Sequence, residues 1–173
     1  MTATAAYPPI HGAAVATIVR LLDHERLMSL AVNRPDGWPQ VTTVGYLNDG
    51  LNLYFVTGRE SQKLANLQID PRVSVSIHSS MQASGAVGLS MAARAVEVTD
   101  PTEVDRLNRL MAERWPGISV YCPATSSVVI IQLKPEIICA ISVSEGRSRT
   151  ERFSLGNAAT PKEASASTPS ALF

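Results

Sequence analysis

The amino-acid sequence predicts a mainly β, antiparallel fold: a small β-barrel with helices packed around it. Three observations carry this. Two turn sequences, Arg34-Pro35-Asp36-Gly37 and Asn48-Asp49-Gly50, follow one another closely, and Asp-Gly tolerates the positive φ that tight hairpins need. Residues 72–78 alternate: Val73, Val75 and Ile77 fall on one side, Ser74, Ser76 and His78 on the other. That is the period of a strand with one buried face. Strand patterns outnumber helical ones, about seven to three, and a sheet of that size removes its open edges by closing on itself.

Along the chain, residues 1–11 read as a flexible arm. Val15, Ile18, Val19 and Leu22 then fall at helical spacing and make one apolar face. Leu27 to Asn33 is the first strand and Pro39 to Leu47 the second, with Val41, Thr42, Thr43 and Val44 giving it β-branched character. Leu51 to Val56 is the third, and two short connections in a row predict an antiparallel meander. A helix is expected over about Glu60 to Gln68, opened by a Thr57–Glu60 capping box and ended by Asp70-Pro71. Strands follow at Arg72–His78 and Val87–Val98, with residues 79–86 between them as a loop or strand edge. Asp100-Pro101-Thr102-Glu103 opens another helix, since it supplies an N-cap, a first-turn proline and an acidic third position. Trp115-Pro116-Gly117 stops it. Two last strands, Val128–Leu133 and Ile137–Val143, are joined by Lys134-Pro135-Glu136. Residues 12–155 make one domain, and 156–173, rich in Ala, Ser, Thr and Pro, read as a disordered tail.

Bulk properties narrow the function. Lys plus Arg and Asp plus Glu are both 15, so the formal net charge is zero. That argues against nucleic-acid binding, which favours a basic excess. A neutral chain that is 45% hydrophobic suits burial against a second copy. Cys122 and Cys139 make no C-x-x-C pair and read as thiols in a reducing compartment. Neither a secretory signal nor an apolar run of about 20 residues is expected, so the protein reads as soluble and cytoplasmic. His11, His24 and His78 have no metal-ligand spacing, and no nucleophile elbow, dinucleotide fingerprint or P-loop is present.

The stretch from Leu51 to Ile77 carries the chemistry. A strand runs into Thr57, a helix start brings Ser61 and Lys63, and a second strand follows. Two hydroxyls, an ammonium and the free N–H groups of a helix start form a phosphate perch. Glu60 opposes it unless its carboxylate points away.

The order of these segments, with Tyr54-Phe55-Val56-Thr57, Ser61-x-Lys63 and Asn66-Leu67-x-x-Asp70-Pro71-Arg72-Val73-Ser74-Val75, resembles the pyridoxamine 5′-phosphate oxidase-like, flavin-binding split-barrel superfamily. The resemblance spans Ala13 to Val143. It implies a split antiparallel barrel, a homodimer, and flavin mononucleotide (FMN) held at the subunit interface for oxidoreductase chemistry. It assigns Ser61 and Lys63 to the cofactor phosphate, with Thr57 and its neighbour Val56 at the strand end beside them. Val41, Thr42, Thr43 and Val44 correspond to the segment along the isoalloxazine ring, which it meets mostly through backbone groups. Ser76 and His78 share one strand face and are assigned to the flavin edge or the substrate. Arg59 adds positive charge. The strand Pro39–Val44 carries no Arg or Lys, so the phosphate rests on few charges. Arg147 stands where family members often carry an aromatic after the glycine. The alternatives are the deazaflavin F420 on the same fold, or a non-enzymatic flavin or haem module with His78 as the candidate axial ligand. Trp38 and Trp115 are read as packing residues at the core or an interface. No catalytic residue or substrate is assigned.

Overall fold

A computed structural model describes residues 7–82, 85–115, 127–144 and 146–155. They include helices α1 (Gly12–His24), α2 (Gln62–Ile69) and α3 (Pro101–Arg114). The strands are β1 (Leu27–Asn33), β2 (Pro39–Gly45), β3 (Leu47–Asp49), β4 (Asn52–Gly58), β5 (Arg72–Gln82), β6 (Gly85–Glu97), β7 (Val128–Ser144) and β8 (Arg147–Ser154). Every ladder between them is antiparallel. The order across the sheet is β2-β1-β5-β6-β7-β4-β3, with β8 added on β7.

The two end strands of this path, β2 and β3, are separated in the chain by Tyr46 alone. Gly45 pairs with Leu27 of β1, and Leu47 pairs with Tyr54 of β4. One residue therefore carries the chain from one end of the sheet to the other, and the sheet curls into a barrel. This corrects the expected continuous strand Pro39–Leu47 and the three-strand meander: β4 pairs with β3 and β7, not with β2. Tyr46 holds the corner. Its N–H donates to the Arg26 carbonyl at 3.2 Å and its hydroxyl to the Leu22 carbonyl at 3.0 Å. Burial, with the Glu25 and Asp23 carboxylates nearby, pushes its phenol well above the ordinary tyrosine range.

The barrel interior is filled by the inward residues of alternating strands. Met28, Leu30 and Val32 of β1 meet Val73, Val75 and Ile77 of β5 and Leu89 and Met91 of β6. Ser74, Ser76 and His78 face outward, as the alternation predicts. Helices α1 and α2 add Ile18, Leu22, Leu64 and Leu67 to the same core. Helix α3 packs outside the barrel, where Val104 and Leu107 meet Leu47, Tyr54 and Ile130. It starts as expected: Asp100 accepts from the Thr102 N–H at 2.9 Å, with Pro101 in the first turn. Asp100→Ala is expected to cost about 1 kcal/mol of unfolding free energy in urea titration, the usual cost of a lost N-cap.

Three further expectations are corrected. Helix α2 is capped by Ser61, whose hydroxyl accepts from the Leu64 N–H at 3.1 Å, so the Thr57–Glu60 capping box does not form. The segment Lys134-Pro135-Glu136 does not break a strand. It lies inside the continuous β7, where the β6–β7 register shifts between Ala92 and Ala93, and a bulge accommodates the missing proline N–H. Residues Arg147–Ser154, not read as a strand, form β8. Its outer edge receives the chain's start: Ile10 N–H donates to the Ser154 carbonyl, and Ser154 donates through its hydroxyl to the Tyr7 carbonyl. Cys122, Pro116-Gly117 and the expected tail lie outside the described residues.

Candidate functional site

The first turn of α2 gathers donors faster than the protein uses them. Ser61 Oγ accepts from the Leu64 N–H and lies 3.0 Å from Thr57 Oγ1. One of these two hydroxyls donates to the other, so whichever way the bond runs, one hydroxyl proton of the pair is left for an outside acceptor. Ala65 N–H donates to the Ser61 carbonyl, while the Gln62 and Lys63 N–H groups precede the first intrahelical bond and point out of the helix start. Lys63 is half-buried and makes no ion pair among the described residues. Its ammonium stands 5.7 Å from the Phe55 ring centroid. Burial lowers its pKa, because a desolvated ammonium is worth less than a hydrated one. Glu60 is exposed, and Arg59 Nη1 is drawn to Glu97 Oε1 at 3.3 Å. Of the cations expected near the phosphate, Lys63 is the one without a carboxylate.

Strand β2 runs beside this turn, and two contacts fix its direction. Asn33, the register partner of Pro39, donates to Asp70 at the far end of α2 at 2.9 Å. One residue into β2, Gln40 Oε1 accepts from Asn66 Nδ2 at 3.4 Å. Continuing along β2 therefore leads back toward the start of α2. Thr42 faces the barrel interior with Gln40 and Val44, and its Oγ1 is buried with no hydrogen-bond partner among the described residues. Asn66 is fully buried and also accepts from Gln62 Nε2 at 3.0 Å. Sequence reasoning missed Gln40 and Asn66. An asparagine amid apolar residues in a helix interior is the one signal that pointed to Asn66, because asparagine there is a poor helix former.

The remaining expected site residues stand elsewhere. Strand alternation sends Val41 and Thr43 to the opposite face from Thr42 and Val44, and there they join Ser76 and His78. Thr43 pairs with Ser29, and Ser29 with Ser76. Val56 turns toward α3 and lines a small cavity with Leu107 and Met111. Within one chain the expected residues thus separate: Thr57, Ser61 and Lys63 gather at the start of α2, Thr42 and Val44 lie on the barrel-facing side of β2, and Val41, Thr43, Ser76 and His78 lie on the outer face of the sheet.

That outer face is apolar or small almost throughout. Ser29, Ala31, Ser74, Ser76, Ser90 and Ala92 line it, and charge lies toward its margins, at Arg72, Arg94, Lys134 and Glu136 on one side and Arg152 on another. Leu27 is 60% exposed and Val41 63%. Trp38, read as a core or interface residue, is not in the core but 74% exposed beside the β1–β2 turn, whereas Trp115 lies under the Arg26 guanidinium, 3.9 Å from its ring centroid. A groove of about 200 Å³ lies on the other side of α2, between Leu64, Leu67 and Gln68 and the β6 residues Ala95, Val96 and Glu97. It does not reach the donor-rich ledge of Thr57, Ser61 and Lys63.

Comparison with known proteins agrees with this frame. General stress protein 26 of Bacillus subtilis is 25% identical over 130 residues, covering 74% of this chain and 88% of its own. An FAD-binding protein of Mesorhizobium loti superposes with a TM-score of 0.58 at 20% identity, over 75% of this chain and 94% of that one. The haem storage protein HutZ of Vibrio cholerae gives 0.56 at 18% identity, over 70% and 89%. At these identities the two structures speak for the fold alone. The family profile for pyridoxamine 5′-phosphate oxidase matches residues 14–140, from α1 through the middle of β7. With the curled antiparallel sheet and the Thr57–Lys63 ledge inside that span, the chain belongs to the pyridoxamine 5′-phosphate oxidase family.

Proposed function

We propose that the protein is an FMN-binding flavoprotein, an oxidoreductase of the pyridoxamine 5′-phosphate oxidase-like type, acting as a cytoplasmic homodimer with the cofactor at the subunit interface. The observation that carries this reading is Lys63: a half-buried ammonium with no carboxylate partner among the described residues, at a helix start that offers the Gln62 and Lys63 N–H groups and a spare hydroxyl proton. Keeping a cation partly desolvated without an anion is costly, and a bound phosphate removes that cost. A bound flavin would supply the electron or hydride transfer, while the protein supplies binding and orientation. Ser61, Thr57 and Lys63 hold the phosphate, and β2 flanks the rest of the cofactor.

The separation of the expected residues between two faces supports the dimer reading. Ser76 and His78 cannot reach the α2 ledge of their own chain, because the sheet lies between them. A second copy packed on the outer face would bring such residues to a shared cleft. The exposure of Leu27 and Val41 and the lack of charge at the centre of this face suit a buried interface.

The test is the visible spectrum and the mass of the cofactor released from purified protein, with light scattering for size. A flavin spectrum, released FMN and a dimer are expected. Released F420, or a Soret band from haem, would replace FMN with the cofactor found. A colourless protein that binds no added FMN would sink the proposal, and a strict monomer would remove the interface cleft.

A further inference from the structure

We propose that the groove between α2 and β6 is a binding site for a small apolar ligand with one positive charge: a single ring or short chain bearing an amine arm. The site lies apart from the Thr57–Lys63 ledge and does not depend on which cofactor the ledge holds. Strand alternation builds it. Leu89, Met91, Ala93 and Ala95 of β6 take inward positions and pack with the barrel core. The next inward position is Glu97, a carboxylate where the pattern calls for an apolar side chain. Its register partner is Ile131, only 2% exposed. On the opposite wall, Leu64, Leu67 and Gln68 recur at helical spacing and present one face of α2. Alanine at position 95 fills little of the gap between the walls, and about 200 Å³ stays open.

The lining sets the chemistry of the ligand. Protein interiors are close-packed, so an apolar gap of this size between a helix and a sheet is unusual. Water there finds few polar partners, and an apolar group that displaces such water gains affinity. An apolar cavity of about 150 Å³ takes benzene, so this groove admits one ring with a short arm. Glu97 fixes the sign of the arm. Arg59 Nη1 approaches its Oε1 at 3.3 Å, but the two side chains are 45% and 30% exposed, so the pair is long and screened by solvent. A neutral apolar ligand would strip water from this carboxylate and give nothing back. An ammonium supplies a charge-assisted hydrogen bond instead, and an anion is repelled. The walls are also preformed. Ala95 N–H donates to the Pro71 carbonyl at 2.8 Å and Val98 N–H to the Ile130 carbonyl at 2.9 Å, which ties the end of β6 in place.

The experiment titrates the full chain, as purified, with 2-phenylethylamine and with 3-phenylpropanoate, an anion carrying the same ring. Calorimetry reads affinity, and amide NMR shifts locate the amine. Saturable amine binding is expected, with shifts at Leu64, Gln68, Ala95 and Glu97. The anion binds at least roughly 10-fold more weakly, and Glu97→Gln weakens amine binding by about the same factor, the worth of one charge-assisted hydrogen bond. Ala95→Leu fills the groove and abolishes amine binding, while its thermal unfolding stays at or above that of wild type, as cavity filling predicts. Should Ala95→Leu fail to fold, Glu97→Gln and the shift map of wild type decide the matter. A groove already covered by another part of the chain or by a second copy would show no saturable binding, which overturns the proposal. Equal affinity for the two probes, unchanged affinity in Glu97→Gln, or shifts confined to the ledge or the outer face of the sheet would overturn it too. None of these readouts depends on flavin, so failure here leaves the cofactor reading untouched.

Discussion

If FMN is the cofactor, replacing Lys63 by methionine is expected to lower its affinity by roughly 10- to 100-fold, the worth of one charge-assisted hydrogen bond to phosphate. The effect is large because Lys63 is the unpaired cation of the ledge; Arg59 is already drawn to Glu97. Ser61→Asp is the sharper companion. Aspartate caps a helix as well as serine does, so α2 remains intact. Its carboxylate, however, occupies the place where the phosphate would sit, and binding is lost at least as severely. Both variants are checked by flavin titration, with thermal unfolding of the cofactor-free protein as the control. Lys63→Met unfolds no earlier than wild type, since the partly buried ammonium is gone. The pH dependence has a definite sign. Binding requires the protonated amine, and burial lowers its pKa. Affinity therefore falls on the alkaline side at a lower pH than a solvated lysine would give, and Lys63→Met lacks that limb. Unchanged affinity in both variants would mean that the ledge holds no phosphate.

Asn48→Leu is expected to cost about 2–4 kcal/mol of unfolding free energy, the range for breaking a buried polar network. Asn48 is only 1% exposed, and its amide joins three elements. Its Nδ2 donates to Asp23 at the end of α1 at 2.8 Å, and to the Gly50 carbonyl in the β3–β4 turn at 3.3 Å. Its Oδ1 accepts from Arg114, the last residue of α3, at 2.6 Å. The Asp23–Arg114 ion pair beside it is longer, at 3.4 Å, and its aspartate is 47% exposed, so it contributes less than the buried amide. Leucine leaves the guanidinium facing an apolar group. Arg114→Met removes that guanidinium, so the double variant should be less destabilised than the sum of the singles. Urea unfolding of the four proteins tests this. Strict additivity, or a loss below about 1 kcal/mol for Asn48→Leu, would place the joint elsewhere.

The sequence was most readable where one residue type dictates one backbone state. Gly37 and Gly50 take φ of 85° and 58° in the turns expected of them, and Asp100-Pro101 opens α3 as its chemistry requires. The alternation in β5 placed Val73, Val75 and Ile77 inside. It was least readable where tertiary pairing overrides local preference. Pro135 looked like a strand break, yet β7 absorbs it at a bulge. The run Arg147–Ser154 has no apolar alternation, because as an added strand on β7 it mostly faces solvent, and so nothing marked it as β8. Within the candidate site, spacing identified Thr57, Ser61 and Lys63 as a group. It could not divide Val41, Thr42, Thr43 and Val44 between the two faces of β2, nor reveal that Gln40 and Asn66 join that strand to α2.

Strand β7 has a consequence for the birth of the fold. It is the shared partner of β4, β6 and β8, and its ladder joins Leu53 to Leu133 and Ala86 to Val143. The first of those ladders closes a very long loop, whose entropy must be met before any contact rewards it. A ribosome that has made only α1 through β6 has produced strands whose central neighbour does not yet exist. Those strands, apolar on one side, must wait for residues 128–144. The chain should therefore acquire its barrel late in synthesis and all at once, and shortened nascent chains ending before β7 should remain open to protease.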